Sequence, residues 1–295
     1  MVCLIAAGFL FVPAEVRVEP TNYKGWSDAF RITNGTVDVV VVPQIGRVMR
    51  YGYVEEPNIL WENSALSGKT FPAGSAPYRN YGGDKIWPAP QKLWGWPPDQ
   101  SVDGAPWSLE KIPNGVRLTS PEGKKPRIRF RREITLSPLG TEVTFLNRME
   151  NRGGRSELSL WQVTQLDDPD SVSIPVGITS QQPKGWVQLS AGRLDPAFYS
   201  VQRQSMIIKR APRAVQKFGA RSLTGELQAA KGSTRFTSVS RTFANVPYPD
   251  GGSAQEVFTS PDPDKYVELE HLGPLTRMER GEVVQSTVTW RLSKG

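Results

Sequence analysis

The stretch RIRFRREITLSPLGTEVTFLNRMEN, Arg127–Asn151, decides the fold class. Apolar and polar residues alternate on both sides of Leu139-Gly140, which is typical of two half-buried strands joined by a hairpin turn. In the first of these strands Ile128 and Phe130 share one face, because successive side chains of a strand point to opposite sides. The pattern predicts an antiparallel hairpin with one face turned to a hydrophobic core.

The same period of two recurs along most of the chain. It is found in TVDVVVVP, GRVMRYGYV, GVRLTSP, SELSLWQVTQL, TRFTSVSRTF, KYVELEHL and EVVQSTVTWRL, and short strands are expected around Val172, Val187 and Met206. Helical periodicity is limited to a turn or two near residues 212–217. Many strands separated by turn signals favour an all-β sandwich or barrel. Because the chain has no clean linker or fixed repeat, we expect a single domain over residues 15–295.

The chain is basic, with a net charge of +7. Such a balance permits an anionic partner but does not demand one. The residues Arg127, Arg129 and Arg131 share the outer face of the first hairpin strand, and the plainer interpretation is a solvated surface rather than an anion-binding patch. We do not expect a nucleic-acid partner.

The first residues resemble a secretory signal. An apolar run over residues 2–12 is followed by small residues at Val12-Pro13-Ala14, which predicts cleavage after Ala14 and a mature chain beginning at Glu15. A buried first strand is the alternative. The run is too short to span a bilayer, so we expect an exported protein, periplasmic or extracellular, with no integral membrane span in the mature chain.

Several kinds of chemistry are excluded by residue content. His271 is the only histidine, and Cys3, inside the predicted signal, is the only cysteine. Zinc sites built on these residues are therefore excluded, and no metal or cofactor is expected. The motifs of serine hydrolases, phosphate loops and dinucleotide sites are absent.

Tryptophan and proline are concentrated in NYGGDKIWPAPQKLWGWPPDQSVDGAPW, Asn80–Trp107. Proline at this density disfavours a helix or a central strand and predicts a stiff loop. Indole rings stack on the C–H faces of sugars, whose hydroxyl groups need fixed polar partners. The predicted sugar-binding residues are Trp87, Trp94, Trp96 and Trp107 with Asn80, Asp84, Lys85 and Gln91. The alternative is that the rings only pack the loop against a sheet.

A second polar group lies in KYVELEHLGP. Alternation places Glu268 and Glu270 on one face of a strand and His271 on the other. Two carboxylates on an otherwise apolar strand are costly to bury, and a carboxylate with a raised pKa is a candidate general base. A solvent-facing surface is the alternative. In SLWQVTQL the same alternation puts Trp161 on a face with Gln165.

At these residues the chain resembles the galactose-mutarotase-like (aldose 1-epimerase-like) superfamily, in an uncharacterised bacterial branch. The resemblance rests on VVVVPQIGRVMRYGY, on the GGxxxWPAPQ motif within NYGGDKIWPAPQ, and on YVELEHLGPLTRMERGEVVQSTVTWRL. It implies a supersandwich of large antiparallel sheets. It also implies a carbohydrate site on the concave face of one sheet.

The resemblance also implies catalytic roles. In the active mutarotases a glutamate takes the proton of the anomeric hydroxyl, and Glu270 best matches it, with Glu268 as the alternative. The family's histidines do not carry over. Asp84 or Lys85 stands where one is expected, and Lys85 is the candidate acid.

The prediction is therefore a carbohydrate-binding protein, a monomer that takes a sugar or oligosaccharide, neutral or acidic. The candidate site includes Trp161. The alternatives are a sugar-processing enzyme that uses Glu270 as base, and a structural sandwich without a ligand.

Overall fold

The computed structural model describes residues 15–295. The predicted signal segment, residues 1–14, lies outside them. Strands make up 49% of the structure and helices 6%, in two large antiparallel sheets. The prediction of an all-β sandwich is confirmed.

Strands follow one another along the whole described chain. They are β1 Arg17–Tyr23, β2 Trp26–Thr33, β3 Val37–Val42, β4 Arg47–Tyr53, β5 Asp84–Ala89, β6 Ser108–Ile112, β7 Gly115–Thr119, β8 Ile128–Leu136, β9 Val143–Asn151, β10 Ser156–Asp167, β11 Ser171–Pro175, β12 Trp186–Gln188, β13 Tyr199–Gln202, β14 Ser205–Ile208, β15 Gln216–Ala220, β16 Glu226–Lys231, β17 Thr234–Ser240, β18 Gln255–Thr259, β19 Tyr266–Leu272, β20 Thr276–Met278 and β21 Val283–Lys294.

Helical structure is confined to short turns. The α-helical turn α1 spans Pro249–Gly252, and 3-10 turns span Pro43–Ile45, Ser64–Leu66, Gln91–Leu93 and Pro196–Phe198. The turns expected near residues 212–217 are not helical, because β15 begins at Gln216.

The first sheet has the strand order β1-β2-β3-β4-β5-β10-β19-β18-β15-β12, with β20 paired to the start of β10. The second sheet has the order β13-β14-β11-β16-β17-β21-β9-β8-β7-β6. The predicted hairpin is β8–β9, whose register runs from Ile128 opposite Asn151 to Leu136 opposite Val143.

The two sheets share one hydrophobic core. From the first sheet it receives side chains such as Val39, Val41 and Leu160, and from the second Phe130 and Phe145. Each is almost completely buried. Alternation therefore turns one face of every central strand to this core.

The first sheet is also covered on its outer face, the face turned away from the second sheet. Val40 and Val42 of β3 point there, into a separate cluster that includes Met49 and is packed by Leu66 and Phe71 of the segment between β4 and β5. Because β3 is buried on both faces, its sequence is a continuous valine run rather than a strict alternation. The covered outer face is where the site residues lie.

The prediction that the proline-rich stretch has no central strand is wrong for Asp84–Ala89. This strand, β5, lies between β4 and β10. It pairs with β10 at six successive positions but with β4 only at Asp84 opposite Val48. Beyond Asp84 the β4 side of β5 is unpaired like a sheet edge, which is where Pro88 is tolerated.

Two glycines precede β5 for a steric reason. Gly82 and Gly83 have φ values of +94° and +70°. A Cβ at Gly82 would overlap the Trp61 carbonyl oxygen, and one at Gly83 would overlap that of Val48. Only glycine accepts this backbone conformation and close approach without strain.

A buried polar network joins the two sheets. Arg132 of β8 forms an ion pair with Asp84 of β5, and neither side chain is exposed. Gln162 Nε2 and Thr164 Oγ1 of β10 also donate to the Asp84 carboxylate, over 2.9 and 2.8 Å. Asn147 Oδ1 accepts from Arg132 Nε over 2.9 Å. A buried ion pair supported in this way is strongly destabilised when one partner is removed.

We predict that Arg132→Met lowers the free energy of unfolding by about 3–5 kcal/mol, because it leaves the Asp84 carboxylate buried without its cation. Chemical denaturation measures this change. The matched control is Arg127→Met at an exposed ion pair with Glu122, expected to change stability by no more than about 1 kcal/mol. A similar small loss for Arg132→Met would contradict the prediction.

Candidate functional site

The site residues meet on the outer face of the first sheet. With Asp84 fixed inward, Lys85 and Trp87 of β5 point outward. Trp161 of β10 shares that face, because it is directly opposite Trp87 in the β5–β10 register. Glu270 and Glu268 of β19 are opposite Val163 and Gln165 of β10. Three neighbouring strands thus supply the predicted residues.

One part of the site is the Lys217 cluster, made of Lys217, Glu256, Glu270 and Trp161. Glu256 and Glu270 are directly opposite each other in the β18–β19 register. Lys217 Nζ lies 2.7 Å from Glu256 Oε2 and 3.0 Å from Glu270 Oε2. Trp161 Nε1 donates to Glu270 Oε2 over 2.8 Å, and its ring centroid is 4.7 Å from Lys217 Nζ.

The carboxylates of the Lys217 cluster share one cation. Both Glu256 and Glu270 are 0% exposed. Burial raises the pKa of Glu256 well above its ordinary value; Lys217 opposes the rise and Glu270 adds to it. Although burial disfavours its charged form, the two carboxylates raise the pKa of Lys217. The cluster therefore favours a charged lysine between the two carboxyl groups, of which Glu256 has the raised pKa.

The other part is the Lys85 cluster, made of Lys85, Glu268, Gln165 and Trp87. Lys85 Nζ lies 3.4 Å from Glu268 Oε1 and 4.7 Å from the centroid of the Trp87 ring. Gln165 Nε2 donates to the same Glu268 oxygen over 2.9 Å. Burial lowers the pKa of Lys85 and raises that of Glu268, and each residue opposes the shift of the other.

A buried arginine supports the Lys85 cluster. Arg47 donates to Asp103 Oδ1 over 2.8 Å and to the Gly82 carbonyl over 2.9 Å. Trp87 Nε1 donates to the same Asp103 oxygen over 3.2 Å. Burial and the nearby Asp103 carboxylate raise the pKa of Tyr78, so the Tyr78 hydroxyl is neutral. The hydrogen bond to Asp103, which Arg47 also contacts, fixes the Trp87 ring beside Lys85.

Three indole rings meet between these clusters. The Trp87 centroid lies 5.8 Å from that of Trp94 and 5.2 Å from that of Trp161, both in edge-to-face geometry. Trp94 Nε1 donates to the Pro88 carbonyl over 2.8 Å. Trp94 is partly exposed. Of the tryptophans of the proline-rich stretch, Trp87 and Trp94 therefore lie between the Lys217 and Lys85 clusters.

Two predicted site residues face the other way. Asp84 points into the core between the sheets and is paired with Arg132. Trp107 is also in that core, stacked on Phe130 with ring centroids 6.1 Å apart. The prediction that Asp84 and Trp107 line the site is wrong, because the ion pair fixes one and close contact with Gly46 and Phe130 the other.

The remaining predicted residues lie at the edge of the site. Gln91 Nε2 donates to the Gly95 carbonyl of its own loop. Trp96 is 62% exposed and packs edge-on against Tyr78. The Asn80 backbone carbonyl accepts a hydrogen bond from Asn63 Nδ2 over 3.1 Å. None of the three contacts the carboxylates.

Sequence reasoning missed Lys217 and Glu256. They lie in QKFGA of β15 and QEVFT of β18, where Phe218 and Val257 face the core. The alternation in these short segments would have placed both charged residues on the outer face. It would not have shown that β15 and β18 lie next to Glu270.

Several buried acceptors in the site lack a donor. These are Glu270 Oε1, both oxygens of Glu256, Gln165 Oε1 and Asp103 Oδ2. Lys217 approaches Glu256 Oε2 closely but not in hydrogen-bond geometry. An unsatisfied buried acceptor is costly unless something supplies a donor.

His271 takes no part in the site. It points to the core, as alternation predicts, and its Nε2 lies 2.8 Å from Ser238 Oγ. Burial lowers its pKa to about 3. The histidine is therefore neutral at ordinary pH.

Within residues 15–295, His, Cys, Asp and Glu side chains do not form a group able to hold a metal ion. No helix in the same range is long and apolar enough to cross a membrane.

No family model matches the chain, and no curated protein matches its sequence. Solved structures do match its fold. One is a protein of Escherichia coli K12 with a provisional assignment as an aldose 1-epimerase, with 12% identity, 90% of this chain and 99% of that chain covered, and a TM-score of 0.59.

Another is a galactose 1-epimerase from Lactobacillus acidophilus NCFM, with 10% identity, 96% of this chain and 99% of that chain covered, and a TM-score of 0.51. A TPR-domain containing protein from Parabacteroides distasonis has 13% identity and a TM-score of 0.61, covering 90% of this chain and 47% of that one. The fold is therefore galactose-mutarotase-like, as the sequence resemblance implied.

We predict that His271 makes the protein less stable in acid. Its pKa is about 3 in the fold against an ordinary value of 6.5. Between these values the unfolded chain binds a proton that the folded chain does not, so stability falls as pH falls, by up to about 1.4 kcal/mol per pH unit.

Chemical denaturation between pH 7 and pH 4 tests this prediction. His271→Gln removes the titrating group. The stability of the variant should therefore rise relative to that of the wild type as the pH falls from 7 to 4. Glu256 and Glu268, whose raised pKa values act in the opposite direction, are common to both proteins. Equal slopes would contradict the prediction.

Proposed function

We propose that this protein binds carbohydrate on the outer face of its first sheet. The observation that carries the proposal is the position of three packed indole rings beside buried carboxylate and amide oxygens that lack donors. Both the indole rings and the oxygens without donors suit a sugar. The pyranose C–H faces pack on indole rings, and the hydroxyl groups donate to the free oxygens.

The charges of the site favour a neutral sugar over an acidic one. Lys217 is already shared by Glu256 and Glu270, and Lys85 is already paired with Glu268. A sugar carboxylate would therefore meet like charges and no free cation in either cluster. Hydroxyl groups, in contrast, supply the missing donors without adding charge.

Access to the site involves the loop of residues 90–98. Trp94, from this loop, packs over Trp87 and Trp161, while Glu256 and Glu270 beyond them are fully buried. In this proposal the loop shifts to admit the sugar, and the Trp94 ring then packs against the bound ring. The partly exposed Trp94 is the natural first contact.

We predict that Trp94→Leu weakens sugar binding at least tenfold, because it removes the ring that packs over the site. The measurement is tryptophan fluorescence during titration with D-galactose, D-glucose and galacturonate. Neutral sugars are expected to bind more tightly than galacturonate.

The matched control is Trp96→Leu, in the same loop but packed outward against Tyr78. It should leave affinity within about twofold. If the wild type gives no saturable response to any neutral sugar, the tryptophans serve packing alone and the protein is a structural sandwich. If both variants lose affinity equally, the site assignment is wrong.

A second candidate function is an aldose 1-epimerase-like enzyme. The observation that favours it is the sharing of Lys217 by Glu256 and Glu270, together with the burial that raises the pKa of Glu256. Mutarotation needs a base for the anomeric hydroxyl and an acid for the ring oxygen. Glu270 would be the base and Glu256, rather than a histidine, the acid; Lys85 is the other candidate acid.

We predict that Glu270→Gln separates the two functions. In an enzyme it removes the base and should lower the rate of anomer exchange by about 10²–10⁴-fold, with sugar affinity largely kept. Polarimetry of freshly dissolved α-D-galactose measures that rate. If the wild-type protein does not accelerate the exchange, the enzyme candidate is refuted and binding remains.

A further inference from the structure

The second sheet has a charged outer face that the proposed sugar site does not use. On strands β6–β9 and the adjoining turns this face has more arginines than glutamates. The arginines are Arg117, Arg127, Arg129, Arg131, Arg148 and Arg152, and the glutamates are Glu110, Glu122, Glu133 and Glu150.

The glutamates are all engaged by other arginines. Glu110 pairs with Arg117, and Glu122 with Arg127 and Arg152. Glu133 Oε1 lies 3.1 Å from Arg117 Nε and 3.0 Å from an Arg148 guanidinium nitrogen.

Glu150, which is opposite Arg129 in the register, instead lies 2.7 Å from an Arg152 nitrogen. Within residues 15–295 neither Arg129 nor Arg131 has an acidic partner. The uncompensated charge of this face is therefore concentrated on two side chains of β8.

The register makes this arrangement unfavourable for the protein alone. Arg131 is directly opposite Arg148 in the β8–β9 pair. Like charges at directly opposite positions destabilise a sheet. Arg148 has Glu133 as its partner, but Arg131, directly opposite it, has no acidic partner, which is consistent with a site for an external anion.

The same residues line a groove of about 290 Å³, together with Thr119, Glu150 and Val283. This volume suits a small ligand or one unit of a larger one. Guanidinium groups bind carboxylate, sulfate and phosphate through paired N–H donors. The one aromatic residue at the groove, Phe130, is buried in the core, so the groove offers no ring on which a nucleic-acid base could stack.

We propose that the groove of Arg129, Arg131 and Arg148 is an oxyanion-binding site, separate from the sugar site on the other sheet. Its ligand is a sulfate, phosphate or carboxylate group, free or attached to a saccharide. The proposal does not depend on sugar binding at the tryptophans, because the two sites lie on opposite faces of the sandwich.

The test follows the guanidinium Nε–Hε signals of ¹⁵N-labelled protein by NMR. Sodium sulfate, sodium phosphate and sodium galacturonate are titrated at an ionic strength held constant with sodium chloride. We expect saturable shifts of a few arginine signals with at least one anion. A preference for sulfate or phosphate indicates a tetrahedral anion, and a preference for galacturonate indicates an acidic sugar.

The variant Arg129→Thr/Arg131→Thr should weaken binding at least tenfold. Arg127→Thr, immediately before the same strand but paired with Glu122, should keep it within twofold. Shifts that grow linearly with every anion, as with chloride, would overturn the proposal. So would an equal loss in the control.

The melting temperature of the double variant distinguishes a lost binding site from a misfolded protein. Without ligand, the double variant should melt at the same temperature as the wild type or higher, because the change removes a like-charge contact and keeps a strand-forming residue. A lower melting temperature would show that the arginines stabilise the fold, and the proposal would fail.

Discussion

The ion pair between Asp84 and Arg132 fixes the organisation of this molecule. It crosses the sandwich from β5 to β8 and is completely buried. Because successive side chains alternate, holding Asp84 inward turns Lys85 and Trp87 outward. The Gly82-Gly83 turn, which only glycine can make, starts the strand in the required register. The candidate site thus depends on a charge pair that is not part of it.

The candidate site concentrates an unusual amount of buried charge. Glu256 and Glu270 share Lys217, while Glu268 is paired with Lys85. Burying charges is unfavourable unless they are paired and hydrogen-bonded, and here several oxygens remain without a donor. Proteins retain such arrangements where a ligand or a reaction needs them. In the function that we propose, the indole rings beside the charges would contact the apolar faces of the ligand and the oxygens would accept from its hydroxyl groups.

The fold does not determine the activity of this protein, which depends on the residues of the candidate site. The fold is shared with a galactose 1-epimerase at 10% identity and with a protein provisionally assigned as an aldose 1-epimerase at 12%, and such likeness does not fix an activity. The only histidine lies in the core, so an acid of another kind would have to replace the histidine of the active mutarotases. In the second candidate function that we propose, Glu256, whose pKa is raised by burial, would take that role, and the sequence resemblance did not indicate it.

The sequence by itself determined the all-β class, the β8–β9 hairpin and the sharing of one strand face by Glu268 and Glu270. These features follow from a period of two, which is local. Alternation gives only relative faces, however, so it could not decide that Asp84 points to the core or that Trp107 packs on Phe130. Nor could it bring Lys217 and Glu256 next to Glu270, because strand order in a sheet depends on pairing between distant segments. Only the tertiary structure, through the buried ion pair and the β15-β18-β19 order, decided which charged residues meet.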